Sequence, residues 1–325
     1  MNYDLDGNPI NPTLYPQVLT GGAISALGVN VSASQVNFNN GSILNAKTWR
    51  AFTPKLGLSY QFTPTLFAFA DFAKGFNAGG FNNRALNLAT ALPYDPETVK
   101  TYEAGIKSDW LDRHLRVNIT GFYNDYSNLQ TSVSVFSPVS GTYVSTRGNA
   151  PAAHTAGFEL ETSAQPIRQL ALTFNTTYLE TRYDDYASPA LGSVAAYSYT
   201  GKQFSGQPKW QHFASATWSQ PLAGRGTFKL GASGNYLTSY YSDALNNAQY
   251  RIAGHGYANA FASYQTEDQR WTFTLTARNL TNSFYFTSLS PVGAPLKSGP
   301  YAGTQLLQGA QNPPRTIFFK AAFAY

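Results

Sequence analysis

The segments joining one patterned stretch of this chain to the next alternate in length, and that regularity constrains the fold more than any other feature. Apolar and polar residues alternate with period two in most stretches from Lys47 onward, the signature of extended strands whose successive side chains point to opposite faces. The joining segments are short at 63–65, 111–114, 165–169, 220–226 and 267–269, and long at roughly 77–96, 184–207, 241–255 and 281–313. A hairpin meander with short turns at one end and long polar loops at the other is the pattern of a transmembrane β-barrel, and a soluble sandwich has no reason to sort its loops this way.

The clearest strand is 271–278. Trp271, Phe273, Leu275 and Ala277 share one face, and Thr272, Thr274, Thr276 and Arg278 the other. The same test assigns Phe52, Leu56, Leu58, Tyr60 and Phe62 to one face and Lys55, Gly57, Ser59 and Gln61 to the other. Leu115, Val117 and Ile119 oppose Arg116, Asn118 and Thr120; Phe158 and Leu160 oppose Glu159 and Glu161; Phe228 and Leu230 oppose Lys229 and Gly231. Two stretches, 65–76 and 256–266, are apolar or mixed on both faces, so parity leaves their orientation open.

Composition agrees with a lipid-facing surface. Charged residues make up 12% of the 325 residues, about half the usual share of a soluble domain, while aromatics reach 15%. Every long uncharged stretch is broken by Asn, Ser, Gln, Gly or Pro, which excludes a membrane-spanning helix. With no cysteine there are no disulfides, zinc-thiolate sites or iron–sulfur clusters. The net charge of +5 is scattered without a basic cluster, so nucleic acid is not an expected partner. Residues 1–47 read as a polar loop with room for one weak strand, and the first residues are no signal peptide.

Eleven strands are predicted, near 48–62, 65–76, 97–110, 115–134, 142–164, 170–183, 208–219, 227–240, 256–266, 270–280 and 314–325. An odd meander runs its first and last strands in the same direction, whereas single-chain bacterial barrels have an even number. Unpaired edges in hydrocarbon cost several kcal/mol per polar group. The expectation is therefore an all-β, antiparallel up-and-down barrel meander of 11 to 12 strands that belongs to something larger, with a strand from residues 1–47 or from further chain completing it.

From Trp49 to Tyr325 the sequence resembles the C-terminal half of the barrel domain of TonB-dependent outer-membrane receptors. The most specific stretches are AFTPKLGLSYQFTPTLFAFADFAKGFNAGGF at 51–81 and DPETVKTYEAGIKSDWLDRHLRVNITGFYNDYSNLQ at 95–130; AGFELETSAQP, ARNLTNSFYF and PPRTIFFKAAFAY are weaker matches. The resemblance implies a 22-stranded, plugged barrel in the bacterial outer membrane that imports a scarce, bulky nutrient such as a ferric siderophore, a vitamin or an oligosaccharide. It also implies energy from the TonB system, acting through an N-terminal plug and contact segment. Outside that resemblance, two readings stand open: a complete small barrel acting as a porin or barrel enzyme, and a soluble all-β binding module.

Candidate residues follow from placement. Lys74, Gly75, Phe76, Gly79, Gly80 and Phe81 lie where a strand leaves for a long outer loop. They shape a vestibule or, more simply, permit a bend and positive φ. Arg116, Glu159, Glu161, Lys229 and Arg278 are expected to point into a polar lumen. Glu159 and Glu161 share a face about 6–7 Å apart, a spacing that invites a glycosidase reading. The plainer expectation pairs them with Arg116 on the neighbouring strand. Ile317, Phe319, Phe323 and Tyr325 end the chain on one apolar face and match the signal read by the barrel assembly machinery. Trp110, Trp210 and Trp271 lie near strand ends, as interfacial aromatics do beside lipid and lipopolysaccharide. His114, His154, His212 and His255 lie forty or more residues apart, so neither a metal site nor a catalytic set nor any cofactor is expected. The ligand is sought in the long loops and the upper lumen.

Overall fold

The structure, a computed structural model, describes residues 37–39, 42–44, 47–81, 93–137, 142–188, 197–292, 304 and 306–325. In chain order the first strands are β1 (Asn37–Asn39), β2 (Ser42–Leu44), β3 (Lys55–Thr63), β4 (Leu66–Asn77), β5 (Glu97–Trp110), β6 (Leu115–Ser137), β7 (Thr142–Ile167) and β8 (Leu170–Asp185). There follow β9 (Ala187–Ser188), β10 (Tyr197–Ser198), β11 (Trp210–Leu222), β12 (Gly226–Leu237), β13 (Tyr240–Tyr241) and β14 (Arg251–Ile252). The last are β15 (His255–Gln265), β16 (Trp271–Arg278), β17 (Phe286–Val292), β18 (Leu306–Gln311) and β19 (Thr316–Phe323).

Eleven of these form one antiparallel sheet in strict sequence order, from β3 to β8, then β11, β12, β15, β16 and β19. All eleven predicted strands are present. Among the described residues β3 and β19 each pair on one side only, and β1 and β2 pair only with each other. No described strand from residues 1–47 joins the sheet as a twelfth. An eleven-stranded antiparallel meander cannot close on itself antiparallel, so the sheet is part of a larger barrel.

The short connections close tightly. Residues 111–114 form a four-residue turn in which Leu111, Asp112 and Arg113 all take positive φ, closed by His114 N–H donating to Leu111 O at 2.9 Å. Left-handed backbone at non-glycine residues costs about 1–2 kcal/mol each. Gly224 and Gly226 supply positive φ in the turn between β11 and β12.

Strand pairing carries the predicted parity across the whole sheet. Leu58, Ala70, Ala104 and Gly121 are successive cross-strand neighbours on the apolar face, as are Leu172, Ala216, Ala232, Ala260, Ala277 and Ile317. The large apolar side chains of this face are unusually open: Leu58 is 74% exposed, Leu275 51% and Phe319 65%. Aromatic rings rim the face at both ends. Phe62, Trp110, Trp218, Trp271, Phe323 and Tyr325 lie toward the short turns, and Tyr102, Tyr123, Tyr178, Trp210 and Tyr236 toward the loops. From Trp110 to Tyr102 is eight residues of β5, about 27 Å along the strand, or about 20 Å of membrane depth at a 40–45° tilt. Of the tryptophans that the sequence places near strand ends, Trp110 and Trp271 lie in the turn-side band and Trp210 in the loop-side band.

The two stretches of open parity find their explanation here. Phe69 of β4 and Phe261 of β15 point to the polar face, each lying over a glycine of the next strand. A Cβ on Gly105 would meet Phe69 Cε1 at 2.6 Å, and one on Gly231 would meet Phe261 Cζ at 2.6 Å. Inward rings covering glycine backbone make those strands apolar on both faces.

The buried core lies at the loop end of the sheet. Ala150 and Ala153 are fully buried and Tyr183 and Tyr186 are 4% exposed, packed with Tyr126, Leu129, Tyr199 and Phe204. Strands β6 and β7 run 23 and 26 residues, more than twice the roughly 10 that cross a bilayer, and their extension past the rim supplies one wall of this cluster. The long connections contain structure of their own: β9–β10, β13–β14 with a short 3-10 turn, and β17–β18 are small hairpins. Among the described residues no helix is long and apolar enough to cross a membrane.

Candidate functional site

The polar face of the sheet carries alternating amides, hydroxyls and charges in cross-strand rows. One row runs Lys107, Asn118, Glu161 and Asn175, and another Thr120, Glu159 and Thr177. Glu161 accepts a hydrogen bond from Asn118 Nδ2 at 3.3 Å. Arg116, expected to pair with Glu159 or Glu161, faces Ser163 across β7 and binds Asp109 instead, Nε to Oδ1 at 2.7 Å and Nη2 to Oδ2 at 3.2 Å. The physical reason is register. The four-residue turn closed by Trp110 and Leu115 sets Asp109 directly opposite Arg116, and β7 pairs so that Glu161 sits one inward step further from the turn. The glycosidase reading gains nothing, since both glutamates lie on an open strand wall among amides and hydroxyls. Lys229 lies on the same polar face, opposite Ser263 and Ser219.

At the loop end the wall is tied into a rim. Gln130 Nε2 donates to Ala78 O at 2.8 Å and Asp95 O at 3.2 Å, and its backbone N–H donates to Glu97 Oε2 at 2.8 Å. Asn149 Nδ2 donates to Asp95 O at 2.9 Å and Asn128 O at 2.8 Å. This lattice joins the end of β4 to the β6–β7 hairpin. Asp95, Glu97 and Gln130 lie within the stretch 95–130 that carries the family resemblance, and strand periodicity alone gives them no role; a glutamine and an asparagine opposite a loop start are the signal in the sequence.

The stretch Lys74 to Phe81 meets the rim at the same place. Gly80 and Tyr94 form a bridge, with Tyr94 N–H donating to Gly80 O at 2.9 Å. A Cβ on Gly79 would meet the Trp49 indole at 2.8 Å, one on Gly80 the Tyr94 ring at 2.7 Å, and one on Gly75 Val99 Cγ1 at 2.8 Å. None of the three has positive φ, so close approach of neighbouring groups, the Val99 methyl at Gly75, the Tyr94 carbonyl and Trp49 indole at Gly79 and the Tyr94 ring at Gly80, favours glycine there, not left-handed backbone. Phe81 lies 6.2 Å from Trp49, Lys74 N–H donates to Pro54 O at 2.9 Å, and Phe76 is opposite Thr98.

A cavity of about 710 Å³ opens on the polar face where β15, β16 and β19 reach the loops. Arg278, Tyr257, Tyr285, Phe318, Pro313 and Pro314 are among its walls. The β17–β18 hairpin stands beside it, anchored by two nearly buried asparagines. Asn279 Nδ2 donates to Ser283 O at 2.9 Å and Pro313 O at 3.1 Å, and Asn312 Nδ2 to Ser283 O at 2.8 Å and Pro313 O at 3.1 Å. Tyr285 stacks on His255 with centroids 4.0 Å apart, and burial, followed by the nearby Tyr257 and Tyr240, raises its phenol above the ordinary tyrosine range. Of the predicted long loops, 281–313 thus helps to build this cavity. Residues 184–207 and 241–255 contribute Tyr186, Tyr199, Phe204 and Ala244 to the buried cluster. Most of 77–96 lies outside the described residues.

The histidines have separate partners. His114 Nδ1 contacts Gln165 O at 2.8 Å in a short turn, His154 pairs with Asp184 at 2.7 Å, and His212 Nδ1 contacts Thr176 Oγ1 at 2.7 Å on the outward face. Among the described residues no group of three or more His, Cys, Asp or Glu could hold a metal ion.

An antiparallel meander with an apolar, aromatic-girdled outer face, a polar inner face and loops sorted by length is the wall of an outer-membrane β-barrel. The family model described as TonB dependent receptor-like, beta-barrel matches residues 26–280, and the chain belongs to that family. It is an integral protein of the bacterial outer membrane, which removes the soluble binding module. A metal-pseudopaline receptor of Pseudomonas aeruginosa is 32% identical over 158 residues, covering 48% of this chain and 21% of that receptor. An uncharacterized TonB-dependent receptor of Haemophilus influenzae is 26% identical over 241 residues, 73% of this chain and 64% of that protein. The ferric yersiniabactin uptake receptor of Yersinia pestis superposes with a TM-score of 0.64 at 18% identity, over 83% of this chain and 36% of that one. The chain therefore spans only part of the length of each of these relatives.

Proposed function

We propose that this chain forms part of the barrel wall and extracellular rim of a receptor that imports a scarce metal chelate of the siderophore class. The observation that carries the reading is the continuity of the polar inner wall with a packed, hydrogen-bonded rim at the long-loop end, where a ligand from outside would first be held. The pseudopaline and yersiniabactin receptors, whose names give metal chelates as ligands, support that class. In this reading the chain acts in transport, not catalysis, and movement is energised by the TonB system through plug and contact segments N-terminal to these strands. Ile317, Phe319, Phe323 and Tyr325 present the outward face of the last strand to the assembly machinery, and the girdles meet lipid and lipopolysaccharide.

The test is uptake by the source bacterium of metal chelates labelled with a radioactive isotope, with the receptor gene intact, deleted, and intact in a strain without TonB. Loss of uptake of one chelate in both altered strains is expected. Uptake that survives deletion for every chelate, together with solute-selective swelling of vesicles holding the purified protein, would replace the reading with passive diffusion.

A further inference from the structure

We propose that the cavity between β15, β16 and β19 is a subsite for a flat aromatic anion, such as a benzoate- or hydroxybenzoate-type group, with Arg278 as its counter-ion. The inference rests on the import reading for the use made of the site, though not for its binding.

Three observations carry it. First, Arg278 lies at the loop end of β16 on the polar face, and it makes no ion pair among the described residues. Its guanidinium sits over Phe318, 5.1 Å from the ring centroid. A guanidinium held beside a ring by cation–π attraction still carries five N–H donors in a planar fork, and that fork matches a carboxylate. Second, no Asp or Glu is among the described residues that line the cavity, so none of these neutralises the cation or repels an anion. Of the asparagines beside it, Asn279 and Asn312 donate to Ser283 O and Pro313 O, and Asn259 Oδ1 accepts from Asn279 N–H at 3.1 Å. Third, Tyr257, Tyr285, Phe318 and the Pro313–Pro314 pair give the cavity flat apolar surfaces, and its other walls, Thr287, Gln311 and Thr316, are uncharged. A volume near 710 Å³ falls within the range of small-molecule sites, about 300–1,000 Å³. One fixed cation among aromatic and proline surfaces selects a ligand with one anionic edge and a planar apolar body. A bulky polyanion would leave most of its charge against apolar walls.

The experiment uses the purified full-length receptor in detergent, titrated with salicylate and with its neutral isostere salicylamide, and followed by saturation-transfer NMR. Saturable salicylate binding is expected, at least tenfold tighter than salicylamide. Arg278→Gln should weaken salicylate about tenfold and leave salicylamide unchanged, and Arg278→Lys should fall between. Heat-modifiable gel migration checks that each variant is a folded barrel, and the comparison of the two probes on the unaltered receptor needs no variant at all. Equal affinity for the two probes, no saturable binding, or an unchanged Arg278→Gln would each overturn the site. A receptor that binds salicylate through Arg278 but takes up no chelate would overturn the import reading and leave the site standing. The reverse pattern would do the opposite.

Discussion

Leu275 gives the sharpest test of which way the sheet faces. It is 51% exposed on the apolar face, opposite Ala262 and Phe319, and four residues from Trp271 of the turn-side girdle. At about 3.3 Å per residue and a 40–45° tilt, it lies roughly 10 Å above that girdle, near the middle of an apolar band about 25 Å tall. An arginine there must enter hydrocarbon or drag water inward, and Leu275→Arg should cost about 2–4 kcal/mol. Thr274, one residue away, points to the polar face, where its hydroxyl lies 3.0 Å from Ser263 Oγ and its cross-strand neighbour is Lys320. Thr274→Arg forfeits a solvated hydrogen bond and sets two cations side by side, together about 1 kcal/mol. The assay is equilibrium unfolding in guanidinium of the receptor folded into lipid vesicles, read by tryptophan fluorescence. Equal costs at the two positions, or a larger one at Thr274, would refute the assignment of faces and with it the membrane reading of the sheet.

Further outcomes follow from particular contacts. A double-mutant cycle on Asp109 and Arg116 should show coupling in unfolding experiments, while the Arg116–Glu161 cycle should be additive, because the two lie in different cross-strand rows. Tyr186→Ala removes a ring packed 4.5 Å from Tyr199 in the buried loop cluster, at a cost of about 3–5 kcal/mol by analogy with buried Phe→Ala. It should appear as faster protease cleavage between β8 and β11 with the barrel still heat-modifiable. Burial raises the phenol of Tyr186, so the part of the cluster's stability that depends on its neutral form is complete below the ordinary tyrosine pKa and lost as pH rises through the elevated one; ultraviolet titration should show this phenol among the last to ionise. In the turn between β15 and β16, hydrogen bonds from the Thr266 hydroxyl and the Arg270 backbone N–H lower the Asp268 carboxyl. That turn's contribution should hold above the ordinary aspartate pKa and vanish as pH falls through the lowered value, read by hydrogen exchange at Arg270 and Trp271.

The local pattern determined a great deal by itself. A residue's face in a strand depends only on its parity, so Leu275 outward and Thr274 inward could be read without knowing any neighbouring strand. The eleven strands, the sorting of the loops by length and the girdle tryptophans follow from the same local rule. Even the opposition of Asp109 and Arg116 was latent in the four-residue turn at 111–114.

Tertiary structure alone decided what meets across strands and above the rim. Glu161 opposite Asn118 follows from the pairing register of β6 with β7, which parity does not contain. Gln130 reaching Ala78, Asn149 reaching Asp95, and Tyr183 packing on Phe204 join residues on separate connections, and no periodicity links them. The cavity beside Arg278 needs β15, β16, β19 and an asparagine-anchored hairpin at once. Faces are set by the geometry of one chain segment, whereas sites are set by the meeting of several, and only the assembled sheet specifies which of them meet.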